Sequence, residues 1–132
     1  MKYQVEYCPN SNCLEIHVDQ RLIQGEIAVF EFEDFDLGEE EDFRKKAKNP
    51  DGLVSFCKTV SELDGMGGEI YFGRYDIQMT KAKIFSWGIL LPHILEALRI
   101  FVAKDGQLEE KAPAKHPNPE HLEALRKQGC KV

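Results

Sequence analysis

The feature that most constrains the fold is a change of hydrophobic period between Ile70 and Leu98. Apolar and polar residues first alternate on both sides of a turn at Gly73-Arg74-Tyr75, and this two-residue period predicts a hairpin of half-buried strands. After Ser86, which can cap a helix, the apolar residues recur at helical spacing. A hairpin that leads into an amphipathic helix indicates an α+β fold.

The hairpin is expected to bury Ile70 and Phe72 from its first strand and Ile77 and Met79 from its second. The apolar stripe of the following helix consists of Trp87, Leu91, Ile94, Leu95, Leu98, Phe101 and Val102. Pro92 interrupts this stripe, because an interior proline loses a hydrogen bond and crowds the preceding turn. Either the helix kinks at Pro92, or the main helix begins there after a separate turn.

Three further strands are predicted in the first quarter of the chain. Alternating residues from Tyr3 to Tyr7 and from Leu14 to Val18 indicate two half-buried strands. Residues 26–32 form a third candidate, in which Ala28, Phe30 and Phe32 point to one side. Ile27 and Val29 make its other side less polar than that of the first two strands.

Two helices are predicted before the hairpin. The run from Glu39 to Lys48 has acids at its front and bases at its back, the order that suits a helix macrodipole, and it predicts a short exposed helix. Asn49-Pro50-Asp51 is a strong helix start, and the apolar spacing that follows ends at Asp64-Gly65. Met66-Gly67-Gly68 then links this helix to the hairpin strand.

The predicted order is therefore β-β-(β)-α-α-β-β-α, a mainly antiparallel sheet of four to five strands with helices packed on one face. Residues 1–103 are expected to form this domain. Residues 104–132 are expected to be a linker and a short C-terminal helix, because apolar density falls after Ala103 and Asn118-Pro119-Glu120 repeats the helix-start chemistry.

Composition narrows the functional class. The chain has 132 residues with 42% hydrophobic and 30% charged residues, an ordinary balance for one globular domain. Its net charge of −6 argues against a general nucleic-acid binder and against adhesion to an anionic membrane, since both need basic side chains. The sequence offers no apolar signal or membrane segment, so a cytoplasmic protein with reduced cysteines is expected.

Several short motifs resemble the N-terminal domain of Nfu/NifU-type iron–sulfur scaffold proteins. In that family a hairpin ends in Thr-Lys, and Trp is followed by Leu-x-Pro-x-aliphatic a few residues later. The matching residues are Thr80, Lys81, Trp87, Leu90, Pro92 and Ile94, with Pro9, Asn10 and Leu14 in the first loop. The likeness covers residues 1–102, apart from an acidic insertion at 33–48 that has no place in the family pattern.

The resemblance implies a role in iron–sulfur cluster assembly, but the motif that binds the cluster in these scaffold proteins is missing from this sequence. In such scaffolds a separate C-terminal domain holds the cluster through a Cys-x-x-Cys motif, and this sequence has no such motif. We therefore expect a freestanding, non-enzymatic accessory protein without a cofactor, which binds a scaffold or client protein. The expected contact residues surround the hairpin turn and are Arg74, Tyr75, Asp76, Gln78 and Lys81.

A competing interpretation is a direct carrier of a metal ion or iron–sulfur cluster. Cys8 and Cys13 lie in one loop and His17 lies on the outer side of the next strand, so the three could converge on an ion. The set needs a further ligand, from Cys130, His116 or His121 of the tail or from a second chain. The simpler alternative is that both cysteines are free thiols in an Asn-rich turn.

The remaining residues give little sign of catalysis. The sequence has no nucleophile elbow, no phosphate-binding glycine loop and no His-Glu-x-x-His motif, so no enzymatic activity is expected. His93 is expected to be a surface histidine, and Cys57 falls on an apolar stripe where it acts as a small hydrophobic residue. A regulatory domain that binds a small ligand stays open as a third interpretation, because a fold does not fix a function.

Overall fold

A computed structural model describes residues 1–33, 38 and 40–117 of the chain. Their strands and helices follow one another as β1 (Lys2–Tyr7), β2 (Cys13–Val18), β3 (Ala28–Glu31), α1 (Glu41–Lys46), α2 (Pro50–Ser61), β4 (Met66–Phe72), β5 (Asp76–Lys81), α3 (Trp87–Phe101) and β6 (Glu109–Glu110). This order confirms the α+β class and matches the predicted order as far as α3. The helix predicted after Asn118 lies outside the described residues.

The strands form one six-stranded sheet in the order β3-β4-β5-β2-β1-β6. The sheet is mixed, because β1 pairs with β6 in parallel whereas the other neighbours are antiparallel. The prediction of a four- to five-stranded, mainly antiparallel sheet therefore missed one strand and one pairing direction. The missed strand consists of two exposed glutamates, which carry none of the apolar alternation that marks a half-buried strand.

The segment after α3 extends the edge of the sheet alongside β1. Lys111 N–H donates to the Tyr3 carbonyl at 2.7 Å, and Lys115 N–H donates to the Val5 carbonyl at 2.8 Å. Tyr7 N–H donates in return to the Lys115 carbonyl at 2.9 Å. Since an edge strand needs only backbone donors and acceptors, the polar, proline-containing sequence predicted as a linker can still cover this edge.

One side of the sheet is buried under the helices and forms the core. The largest fully buried side chains are Phe30, Phe56, Phe72, Leu14, Ile16, Leu22, Ile23, Leu53, Ile70, Ile77, Met79 and Ile94. Phe72 of β4 joins the layers, because its ring lies 5.5 Å from that of Phe43 in α1 and 6.3 Å from that of Phe56 in α2. Helix α1, predicted to be exposed, is thus anchored by one buried aromatic side chain.

Both predicted helix caps are present. The Asn49 side chain accepts a hydrogen bond from Gly52 N–H at 3.2 Å, and the Ser86 hydroxyl accepts one from Gly88 N–H at 3.1 Å. Helix α3 begins at Trp87 and continues through Pro92, so of the two alternatives the separate turn with a late start at Pro92 is wrong. Proline is tolerated because its missing bond would reach Gly88, which is exposed at the start of the helix where water can solvate the carbonyl.

Strand β4 begins three residues earlier than the sequence indicates. Met66, Gly67 and Gly68, predicted as a link, are part of the strand, with an irregular register between Met66 and Ile70. Gly67 passes so close to Thr80 that a Cβ atom would meet the threonine Oγ1. The glycine thus permits a close approach of two strands, a local role that differs from that of a flexible connector. In the described part of the chain, no helix combines the length and apolar character needed to cross a membrane.

Candidate functional site

The side of the sheet opposite the core carries the polar side chains of the central strands, and we call it the outer face. The antiparallel registers place Glu6 of β1 opposite Glu15 of β2, Glu15 opposite Gln78 of β5, and Gln78 opposite Tyr71 of β4. These residues are half-buried by their neighbours. The outer face is therefore a row of polar groups that remains accessible to solvent and ligands.

Three potential metal ligands meet on the outer face where β1 and β2 pair. His17 Nε2 lies 3.0 Å from Glu6 Oε1 and 3.5 Å from Glu15 Oε2. The side chains of His17 and Glu6 are each 39% exposed and that of Glu15 is 28% exposed. Glu6, Glu15 and His17 each offer one ligand atom, and these atoms lie within 4.8 Å of one another.

The sequence identified His17 but not its two carboxylate neighbours. Glu6 and Glu15 appeared only as the polar half of two alternating strands. Their meeting depends on the register of the β1–β2 hairpin, in which Glu6 pairs directly with Glu15 and His17 is two residues further along β2. The length of the turn at residues 8–12 sets this register, so a prediction of that turn could have paired Glu6 with Glu15.

The predicted cysteine pair is present at the end of the same two strands. The Cys8 thiol donates to Cys13 Sγ at 3.0 Å, and Gln78 Nε2 donates to Cys13 Sγ at 3.4 Å. The intervening loop is ordered by its own hydrogen bonds, since Asn12 N–H donates to Asn10 Oδ1 at 2.9 Å. Cys8, Cys13 and Cys57 are free thiols.

The surroundings of Cys8 favour its protonated form. Burial raises the pKa of the Cys8 thiol to about 12, and the hydrogen bond to Cys13 and the nearby Glu15 and Glu6 carboxylates act in the same direction. Cys8 therefore carries its proton at neutral pH. A metal ion that binds this sulfur must displace the proton, and its positive charge would offset the carboxylates.

The structure separates His17 from the two thiols. Cys13 and His17 are four residues apart on the extended strand β2, which corresponds to about 13 Å along the strand. His17 instead contacts Glu6 and Glu15. Of the tail residues predicted to complete a site, His116 stacks on Tyr7 with ring centroids 4.9 Å apart. Cys130 and His121 lie outside the described residues.

Four of the five predicted partner-binding residues lie together at the hairpin turn. Arg74, Tyr75, Asp76 and Gln78 line an open cavity of about 460 Å³ on the surface, together with Glu26, Ile27, Tyr71, Phe72 and Gly73. Tyr75 is 48% exposed and Ile27 is 59% exposed. Arg74 is held against the preceding loop, since its Nε–H donates to the Gly25 carbonyl at 3.1 Å.

Lys81, the fifth predicted residue, lies at the other end of β5. Its Nζ donates to Asn12 Oδ1 at 3.2 Å and lies 5.7 Å from the centre of the Trp87 ring. Trp87 Nε1–H in turn donates to the Ser11 carbonyl at 3.0 Å. Lys81 and Trp87, two positions that carry the family resemblance, thus fasten the first loop to helix α3 and have a structural role.

No protein-family model matches the sequence, and no curated protein matches it. Two solved structures share its fold. The crystal structure of protein SAV1430 from Staphylococcus aureus is 16% identical with a TM-score of 0.52, and the match covers 74% of this chain and 99% of that chain. The solution structure of a NifU-like protein from Saccharomyces cerevisiae is also 16% identical with a TM-score of 0.52, and it covers 73% of each chain. The chain therefore has a fold similar to that of a NifU-like protein, as the resemblance implied.

Proposed function

We propose that this chain is a non-enzymatic accessory protein of iron–sulfur cluster assembly that acts by binding a protein partner, an iron–sulfur scaffold or client. The observation that carries this proposal is the fold shared with the NifU-like protein from Saccharomyces cerevisiae. The short motifs at Thr80-Lys81 and Trp87 support it from the sequence side. No cofactor, nucleic acid or membrane has a part in the proposed role.

The hairpin turn is the proposed contact surface. Tyr75 and Ile27 are large apolar side chains that are about half exposed beside the open cavity, and a partner can cover both. Arg74, Glu26 and Asp76 surround them with charge. This arrangement of an aromatic anchor with a charged rim is typical of a protein interface, and the net charge of −6 favours a partner with a basic contact surface.

Capture from cell extract tests the proposal. A tagged wild-type chain is expected to retain an assembly factor or an iron–sulfur client, and Tyr75→Ala is expected to weaken that binding at least about tenfold, as loss of an interface anchor does. Ile84→Ala is the matched control, because Ile84 is an exposed apolar side chain that lies outside the hairpin cavity. Recovery of neither an assembly factor nor a client by the wild-type chain would remove the main support for the proposal.

The second candidate is a direct carrier of iron or of an iron–sulfur cluster through Cys8 and Cys13. The observation that favours it is the distance of 3.0 Å between the two sulfur atoms, which lets both bind one metal centre. Anaerobic reconstitution with iron and sulfide separates the two candidates. A carrier gains iron and a visible cluster absorption that Cys8→Ser/Cys13→Ser abolishes, whereas an accessory protein gains no cluster absorption and binds its partner equally well with both substitutions.

A further inference from the structure

Glu6, Glu15 and His17 form a cluster that the proposed partner binding does not use. They lie on the outer face of the β1–β2 pair and do not line the hairpin cavity, although Glu15 pairs with Gln78 and His17 with Asp76 at the edge of that cavity. The three ligand atoms come from two paired strands, so the sheet holds their relative positions.

The distances from His17 Nε2 to the two carboxylates suit tetrahedral coordination. Two ligands that bind Zn²⁺ with bonds of about 2.0–2.1 Å at tetrahedral angles are about 3.3–3.4 Å apart. The observed distances from His17 Nε2 are 3.0 Å to Glu6 and 3.5 Å to Glu15, which bracket that value. The two carboxylate oxygens lie within 4.8 Å of each other, so side-chain rotations that bring them together would place all three atoms around one ion.

The charges of the cluster also favour a cation. Glu6 and Glu15 face each other directly across the strand pair, an arrangement of like charges that opposes pairing. Among the described residues, no lysine or arginine forms an ion pair with either carboxylate, and His17 is the group between them. A divalent ion would neutralise both carboxylates at once.

The ligand types select the class of ion. Mg²⁺ and Ca²⁺ are bound by oxygen ligands, whereas an imidazole nitrogen suits the divalent first-row transition metals. Three protein ligands leave one position of a tetrahedron for water or for a group of another molecule. The side chains are 28–39% exposed, so that position faces solvent.

We propose that His17 Nε2 and one carboxylate oxygen each of Glu6 and Glu15 bind a divalent transition-metal ion such as Zn²⁺ on the outer face of the sheet. This site is separate from the Cys8/Cys13 pair and does not depend on the proposed role in cluster assembly. Its fourth position remains available to an external ligand.

Titration of the full chain with Zn²⁺ by calorimetry and with Co²⁺ by absorption tests the site. One equivalent should bind, and the Co²⁺ complex should show visible d–d bands without a thiolate-to-cobalt charge-transfer band. His17→Gln should weaken Zn²⁺ binding at least about tenfold, a loss that even the removal of an outer-shell partner produces. Glu6→Gln/Glu15→Gln should do the same, and Glu15→His should retain or strengthen binding by offering a second imidazole.

Two controls keep the result specific. His93→Gln removes an exposed histidine on α3, and Cys8→Ser/Cys13→Ser removes both thiols, so both variants should bind Zn²⁺ as the wild-type chain does. Circular dichroism checks that every variant folds. The proposal is overturned if no saturable binding occurs up to millimolar Zn²⁺, if His17→Gln binds normally, or if the cysteine variant loses binding. Partner capture by Glu6→Gln should be unchanged, because Glu6 lies on β1 with β2 between it and the hairpin strand β5, which separates this test from that of the proposed function.

Discussion

The two faces of the sheet have the same strands but different physical environments. Along β4, Phe72 is fully buried against two aromatic rings, whereas Tyr71, the preceding residue, lies on the outer face and donates its hydroxyl to Glu69 at 2.7 Å. The buried face provides most of the apolar burial that stabilises the fold. The outer face holds the polar and sulfur groups that can bind something else, so we expect substitutions on the two faces to separate stability from binding.

The largest expected difference concerns these two neighbours. Phe72→Ala leaves a cavity between α1, α2 and the sheet, and we expect it to lower the free energy of unfolding by about 3–5 kcal/mol. Tyr71→Ala removes one hydrogen bond on a half-exposed side chain and should cost less than about 1.5 kcal/mol. Urea denaturation followed by circular dichroism measures both. Equal losses would contradict the division between the two faces.

The next effect concerns the close approach of β4 and β5. Gly67→Ala places a Cβ atom against Thr80 Oγ1 and 3.2 Å from the Thr80 carbonyl, and we expect a loss of about 1–3 kcal/mol from this overpacking. Gly68→Ala meets no atom within 4 Å and should change the unfolding free energy by no more than about 0.5 kcal/mol. When Thr80→Ala is combined with Gly67→Ala, part of the lost unfolding free energy should be recovered in urea denaturation. If none is recovered, the Thr80 side chain is not what the new Cβ atom clashes with.

Buried and outer thiols should differ in alkaline solution. Burial raises the pKa of Cys57 well above its ordinary value, so the folded chain keeps this proton where the unfolded chain releases it. The stabilisation by the protonated Cys57 thiol is fully present below the pKa that this thiol has in the unfolded chain, and it is lost as the pH rises above that value. Above about pH 8.5 the free energy of unfolding should fall by up to about 1.4 kcal/mol per pH unit for this thiol.

Urea denaturation between pH 8 and 10 measures this slope. Cys57→Ala should reduce it, whereas Cys8→Ser should leave the contribution of Cys57 in place. The pKa of Cys8 is raised to about 12, which acts in the same direction. Cys8 is half-exposed, however, so solvent screening should make its share smaller than that of Cys57. An unchanged slope in Cys57→Ala would contradict the assignment.

The smallest expected effect on stability concerns the contact between helix α3 and the loop that joins Cys8 to Cys13. Trp87→Phe removes the hydrogen bond to the Ser11 carbonyl and should lower the unfolding free energy by about 0.5–1.5 kcal/mol. The same substitution should also speed alkylation of Cys8, because the loop that follows Cys8 loses its hydrogen bond to helix α3. Ile89→Ala is the control on the same helix, since Ile89 is 68% exposed and should affect neither measurement. Circular dichroism and timed alkylation with mass spectrometry provide the readouts.

The sequence predicted the buried face well because burial leaves a periodic signal. Ile70, Phe72, Ile77 and Met79 are buried as the alternation indicated. In α3 the stripe was less accurate, since Leu90 is buried and Leu91 is half-buried, although the prediction included only Leu91. Two adjacent residues of a helix point in directions about 100° apart, and the helical spacing of the apolar residues does not determine which of the two leucines faces the sheet.

The outer face was predicted less completely, because groups from different strands meet through the register of the sheet and not through spacing in the sequence. The cysteine pair lay within one loop and was recognised, and Glu15 shares one side of β2 with His17, whereas Glu6 comes from β1 and meets them only through the strand register. The same limit explains why β6 was not predicted. Glu109 of β6 pairs with Lys2 of β1, which is 107 residues earlier in the chain. Hydrogen bonds of an edge strand leave no pattern in the side chains.

The sequence by itself determined the α+β class, the hairpin and its turn, the two capped helices and the inward residues of the sheet, because periodicity and capping are local properties. Tertiary structure decided which polar groups meet. It placed Glu6 of β1 beside His17 of β2, brought Lys81 against Asn12 of the first loop, and laid the segment around Lys111 against β1. These contacts join residues distant in the chain, so only the fold could bring them together.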